Sequence, residues 1–163
     1  MNGPELVSIV RRLAQEPSRW AHLVEHDPER RVYEELLRDD ELAVWLICWM
    51  DDHDTGFHDH DLSSGAVAVV QGEVAEDRLV LGGTPVTRRF SRGEAFHFAA
   101  SDIHRVRHAG HAPAVTIHAY SPPLWRMGAY EIEPDGGLRR HSLSYAEELR
   151  PLAGADLLRP FGG

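Results

Sequence analysis

Residues 57–72 read FHDHDLSSGAVAVVQG, two histidines one residue apart ahead of a run of small and β-branched residues. In an extended chain the side chains at i and i+2 share a face. His58 and His60 therefore aim two ring nitrogens at one point while Asp59 turns away. Imidazole is the commonest metal ligand, so the pair is half of a metal site. Eleven histidines occur in the 163 residues, however, and a solvated strand whose imidazoles bond to neighbours gives the same pattern. The rest of the chain has to supply the other ligand.

From residue 42 to about 140 the chain breaks into short β-rich runs between turn residues: LAVWLICWM, GAVAVVQG, RLVLGG, PVTRRF, EAFHFA, IHRVRH and AVTIHAYS. This is the pattern of a mainly β barrel or sandwich. Helical spacing appears at the start. Residues 5–15 carry Leu6, Val7, Val10 and Leu13, and residues 28–38 open with Pro28 and carry Val32, Tyr33, Leu36 and Leu37, which predicts two short helices. The expected organisation is one domain over 1–163: a helical lead-in 1–40, a barrel 42–142 and a C-terminal tail 143–163. A helical turn is expected at 144–149 and a loosely ordered end at 151–163.

Composition narrows the partners. The hydrophobic fraction, 42%, fills one core at this length. A net charge of −9 with scattered arginines argues against nucleic acid. No apolar run reaches the roughly 18 residues of a membrane span, and the N-terminus lacks the order of a signal peptide. The expectation is a cytoplasmic protein, monomeric or weakly self-associating, with a small-molecule ligand. The lone Cys48 sits in VWLICW and reads as a buried structural thiol.

Residues 93–108, GEAFHFAASDIHRVRH, place His104 on a separate predicted strand, as a barrel requires if distant strands are to converge on one ion. Together the two stretches resemble the cupins. The first cupin motif is His-x-His, three or four residues, Glu, six residues, Gly. Here His58 and His60 are followed by four residues, Gly65, six residues and Gly72: the spacing holds and the acid is missing. The second motif keeps Gly93 and His104, while Ala99, Ser101 and His108 replace its proline, glycine and asparagine. The resemblance implies a jelly-roll barrel with His58, His60 and His104 on one metal. Three neutral histidines leave the dication's charge uncompensated and one side open. Such a centre suits an anionic, soft donor such as a thiolate, with Fe(II) as the expected metal and nickel or manganese as alternatives.

Over residues 31–130 the chain also resembles the cysteine dioxygenase family of thiol dioxygenases, through CWMDDHDTGFHDH (48–60), IHRVRH (103–108) and VTIHAYSPPL (115–124). The last stretch is similar to the family's Ser-x-His-x-Tyr-Ser-Pro-Pro segment. The resemblance implies that Tyr120 acts beside the metal, backed by His118 and Thr116, and that O2 and a small thiol are the substrates, giving a sulfinic acid. Trp49 and Met127 are candidates to line the substrate pocket or to pack the core, and His53 to serve a loop. Gly65 stands where animal members carry a cysteine cross-linked to the tyrosine, so that bond is absent. The family's substrate-binding arginine falls on Glu34, or on Glu35 if the register slips by one. A carboxylate there would favour a cationic thiol, such as cysteamine or the betaine ergothioneine, over cysteine; alternatively both glutamates are solvated residues of the second helix. Another metal-dependent cupin oxygenase or isomerase, or a small-molecule sensor, would use the same histidines.

Overall fold

The computed structural model describes residues 1–144. Helix α1 (Gly3–Ala14) starts with a capping box: Asn2 Oδ1 accepts from the Glu5 amide, and Glu5 Oε2 accepts from the Asn2 amide. Single 3-10 turns follow at Pro17–Arg19 and Ala21–Leu23. Then come strands β1 (Val32–Arg38), β2 (Ala43–Trp49), β3 (His58–Asp59), β4 (Ser64–Gln71), β5 (Glu73–Arg78), β6 (Val86–Ser91), β7 (Ala95–Phe98), β8 (His104–Ala109), β9 (Ala114–Ser121), β10 (Arg126–Ile132) and β11 (Leu138–Ser144). They form a five-stranded sheet, β1-β2-β9-β4-β7, and a six-stranded sheet, β11-β10-β3-β8-β5-β6. The expected jelly-roll barrel is this pair of antiparallel sheets.

Strand β2 is buried on both faces, which explains its unbroken apolar run. Trp45, Ile47 and Trp49 point between the sheets and join Val67, Phe96, Phe98, Val106 and Met127. Val44, Leu46 and Cys48 face the other way and meet Leu6, Val10 and Leu13 of α1. The barrel thus has an inner core, and α1 seals a second one on the outside of the five-stranded sheet. Cys48 is a free, buried thiol whose pKa burial pushes up, as expected of a structural cysteine.

The second expected helix is a strand. The stretch 28–38 has good helix formers in Glu34, Glu35, Leu36 and Leu37, but Val32 to Arg38 pairs antiparallel with β2, Tyr33 opposite Ile47 and Glu35 opposite Trp45. Ladder bonds and the apolar contacts of Val32 and Leu36 with the outer core override local propensity. The charged residues suit an edge strand, where they discourage further pairing. The lead-in therefore contains one α-helix. At the other end β11 runs to Ser144; the turn expected at 144–149 and the loose end at 151–163 otherwise lie outside the described residues. No helix among the described residues is long and apolar enough to cross a membrane.

Candidate metal centre

Strand β3 pairs with β8 at one register, His58 opposite His104, and with β10 on its other side. That pairing brings the first two histidines to the third. The side-chain nitrogens of His58, His60 and His104 lie within 4.8 Å of one another, and the three residues are 4%, 1% and 1% exposed. Asp59 turns outward, as strand alternation requires. Its carboxylate accepts from Tyr130 Oη at 2.6 Å, from Arg140 Nε and Nη2 at 2.8 and 2.9 Å, and from the Gly128 amide. Arg140 reaches it by crossing Gly128, where a Cβ would run into the guanidinium. The bonded Asp59 pins the strand between the two ligands it separates.

The hydrogen bonds fix which nitrogen His58 and His104 offer. His58 Nδ1 donates to the Gly56 carbonyl at 3.0 Å, which leaves its lone pair on Nε2, 3.2 Å from His60 Nε2. His104 Nδ1 donates to Glu76 Oε1 at 2.9 Å, and its buried Nε2 has no hydrogen-bond partner among the described residues. Burial, then the neighbouring imidazoles, lowers the pKa of His58 to about 3 and that of His60 well below its usual value. The rings are therefore neutral at physiological pH. Three inward imidazole nitrogens, one of them an orphaned buried atom, fit a divalent first-row transition metal.

Gly65 explains the missing acid of the first motif. A Cβ at Gly65 would run into the ring of Phe98. That ring lies over both His60 and His104, with centroids 4.4 Å away in each case. Phe98 occupies the place of the acid and walls one side of the ligand cluster with hydrocarbon.

The five-stranded sheet faces the histidines with β9. Thr116, His118 and Tyr120 alternate along it, all buried, and bond in sequence: Thr116 Oγ1 to His118 Nε2 at 2.7 Å, His118 Nδ1 to Tyr120 Oη at 3.2 Å. Trp49 extends the chain, its Nε1–H donating to Thr116 Oγ1 at 2.8 Å. Burial, then the closeness of His104 and the Arg31 guanidinium, lowers the His118 pKa to about 3, so this ring is neutral.

One narrow cavity joins the histidine cluster to Tyr120 and His118, lined also by Arg31, Tyr33, Thr55, Phe98 and Met127. Met127 lines it, whereas Trp49 does not and is bound behind Thr116. Glu34 and Glu35 do not line it either. Glu34 is exposed on β1, and Glu35 is held by Arg38 at 2.8 Å. The residues of that segment that reach the cavity are Tyr33 and Arg31, the latter with its guanidinium carbon 5.3 Å from the Tyr33 ring and 5.5 Å from the Trp49 ring. This segment thus turns Arg31 and Tyr33 to the cavity, and not Glu34 or Glu35, because it is extended and presents alternate residues. His53 serves the loop, accepting from the Met50 amide through Nδ1. Sequence reasoning missed Arg31, Tyr33, Phe98 and Glu76; each needs the strand register to be placed at the site.

A two-sheet barrel closed around three histidines is the cupin arrangement. Solved structures with this fold include TT1209 from Thermus thermophilus (TM-score 0.54, 20% identity, 63% of this chain and 92% of that one) and a protein with a double-stranded β-helix domain from Klebsiella pneumoniae (TM-score 0.55, 12% identity, 74% and 91%). The sequence profile of cysteine dioxygenase type I matches residues 1–133, and the chain belongs to that family. Human cysteine dioxygenase type 1 is 25% identical over 143 residues, covering 80% of this chain and 70% of the relative; the zebrafish (Danio rerio) protein is 26% identical over 137 residues, covering 76% and 67%. The protein is a metal-dependent thiol dioxygenase, an oxidoreductase acting on a small thiol and O2.

Proposed function

We propose that the metal is Fe(II), held by His58, His60 and His104, and that the substrate is a small thiol carrying a carboxylate. The observation that supports this reading is the joining, in one cavity, of the three histidines, the Tyr120 relay and the Arg31 guanidinium. Bound Fe(II) would supply the chemistry by which both atoms of O2 pass to sulfur, R–SH + O2 → R–SO2H.

Arg31 binds the substrate's carboxylate and so sets the distance of the sulfur from the ligand cluster. The case for a cationic thiol depended on Glu34 or Glu35 facing the substrate, and among the described residues no carboxylate lines the cavity. An anionic thiol such as 3-mercaptopropionate fits better than cysteamine or ergothioneine. Cysteine brings the same carboxylate but also an ammonium without a counter-charge on the cavity wall.

The relay has a direction. An indole N–H only donates, so Thr116 Oγ1 accepts from Trp49, and we assign its own proton to His118 Nε2, 2.7 Å away. The neutral His118 then carries its hydrogen on Nδ1 and donates it to Tyr120 Oη. With Tyr120 Oη accepting from His118, the phenol would act on the reacting group as a donor and not as a base. Phe98 and Met127 keep bulk water from that exchange.

The test is O2 uptake by the Fe(II)-loaded protein with 3-mercaptopropionate, cysteine, cysteamine and ergothioneine. Carboxylate thiols are expected to lead, with two ¹⁸O atoms in the sulfinate from ¹⁸O2. Faster turnover of cysteamine, which has no carboxylate, would refute the role given to Arg31, and failure of every thiol would refute the iron assignment.

A further inference from the structure

We propose that Glu76 is the charge-compensating carboxylate of the metal centre, acting through His104, and that Arg78 and Arg88 set how much of its charge the metal receives. This rests on the three-histidine reading of the site.

Glu76 lies on β5 opposite Val106 of β8, two residue pairs along the ladder from the Arg78–His104 pair and on the same face, and is fully buried. Its Oε1 accepts from His104 Nδ1 at 2.9 Å. Each carboxylate oxygen also takes a guanidinium: Arg78 Nη2 on Oε1 and, from the neighbouring strand β6, Arg88 Nη2 on Oε2, both at 2.7 Å. Anchored at both oxygens, the carboxylate cannot turn from the imidazole.

The other two ligands have no such support. His58 Nδ1 faces the neutral carbonyl of Gly56, and His60 Nδ1 has no hydrogen-bond partner among the described residues. With Gly65 replacing the motif's acid, His104 is the one ligand joined to a negative group. A carboxylate on the remote N–H of a ligand imidazole fixes its tautomer and makes it a stronger donor. The negative charge absent from direct coordination is thus returned one bond further out. The two arginines withdraw part of it, and Arg88, half exposed at 49%, is the adjustable member.

The full-length protein is stripped of metal and titrated with Co(II) against a chromophoric chelator, recording the Co(II) visible spectrum; the Fe(III)/Fe(II) potential is measured separately. Glu76→Gln keeps an acceptor for His104 but removes the charge. Co(II) affinity is expected to fall about 10–100-fold, with a changed spectrum and a raised potential. Arg88→Gln is expected to do the reverse, tightening Co(II) and lowering the potential without loss of fold. In a Glu76→Gln background the Arg88→Gln effect should vanish, since the arginine acts through the carboxylate. Unchanged affinity, spectrum and potential in Glu76→Gln would overturn the proposal. If Glu76→Gln does not fold, Arg88→Gln alone decides, and no change in its affinity or potential overturns it equally. If the unaltered protein takes up no Co(II), or His58→Ala binds as well as it does, the three-histidine reading itself has failed.

Discussion

Gly65 and Tyr120 face each other across the β4–β9 ladder, and the ring of Phe98 fills the volume that any side chain at Gly65 would need. The residue that removes the cupin acid therefore also makes room for a hydrocarbon wall beside the ligands. Gly65→Ala should displace a ring that is 2% exposed. Overpacking of this kind costs about 1–3 kcal/mol. A lower denaturation midpoint and altered metal affinity are expected; Gly65→Ala as stable as the parent would mean that the ring moves freely.

Loss of a ligand is a stronger test of the centre. His58→Ala, His60→Ala and His104→Ala should each bind substoichiometric iron in a metal-content measurement while retaining the far-UV circular dichroism of the β-barrel. Full iron content in the His104→Ala protein would remove that residue from the ligand set.

The relay predicts two separable effects. Tyr120→Phe deletes the donor and should retain iron, with a fall in kcat of about 10²–10³, the usual effect of removing one preorganised donor. Trp49→Phe leaves Tyr120 in place but frees Thr116 from its fixed donor, so the polarity of the chain is no longer imposed. A smaller fall in kcat with unchanged KM is expected there. Equal kcat in Trp49→Phe and the parent protein would show that the direction of the relay does not depend on the indole.

Asp59 links the ligand strand to acid stability. Burial alone would raise its pKa, but the bonds from Arg140 and Tyr130 outweigh that and lower it to about 2. A carboxylate whose folded pKa lies below its unfolded value of about 3.9 stabilises the fold above that value, and the contribution is lost as pH falls through the folded pKa. The parent protein should therefore lose stability between about pH 4 and pH 2 more steeply than Asp59→Asn, measured as melting temperature against pH. Parallel curves for the two proteins would remove Asp59 from the linkage.

What the sequence displayed of this site was whatever lies on a single strand. Period-two alternation exposed His58 with His60, and Thr116, His118 and Tyr120, because strand geometry alone puts them on a common face. Residues brought in by pairing were invisible. Glu76 meets His104 only through the β5–β8 register, and Phe98 meets Gly65 only through β4–β7. The segment 28–38 misled for a different reason: Glu34 to Leu37 favour a helix locally, and it is the exposed edge of β2 that makes them a strand. Trp49 was legible as an aromatic wall, yet its contribution is one N–H behind Thr116, which hydrophobicity does not reveal.

The same change of secondary structure decides the substrate prediction. In a helix Glu34 or Glu35 would have been free to face the cavity; in β1 the cavity receives Arg31 and Tyr33, while Glu35 is spent on Arg38. Replacing Arg31 by methionine keeps much of the contact with the Tyr33 and Trp49 rings but removes the charge. Loss of one partner from a charged, hydrogen-bonded pair is worth several kcal/mol, so kcat/KM for 3-mercaptopropionate should fall about 10²-fold. Turnover of cysteamine, which has no carboxylate, should change far less, so Arg31→Met is expected to narrow or invert the preference between the two thiols. Glu34→Gln and Glu35→Gln should leave both rates unchanged. If instead either glutamine variant shifts the preference while Arg31→Met does not, substrate charge is read from the β1 edge and the assignment of Arg31 is wrong.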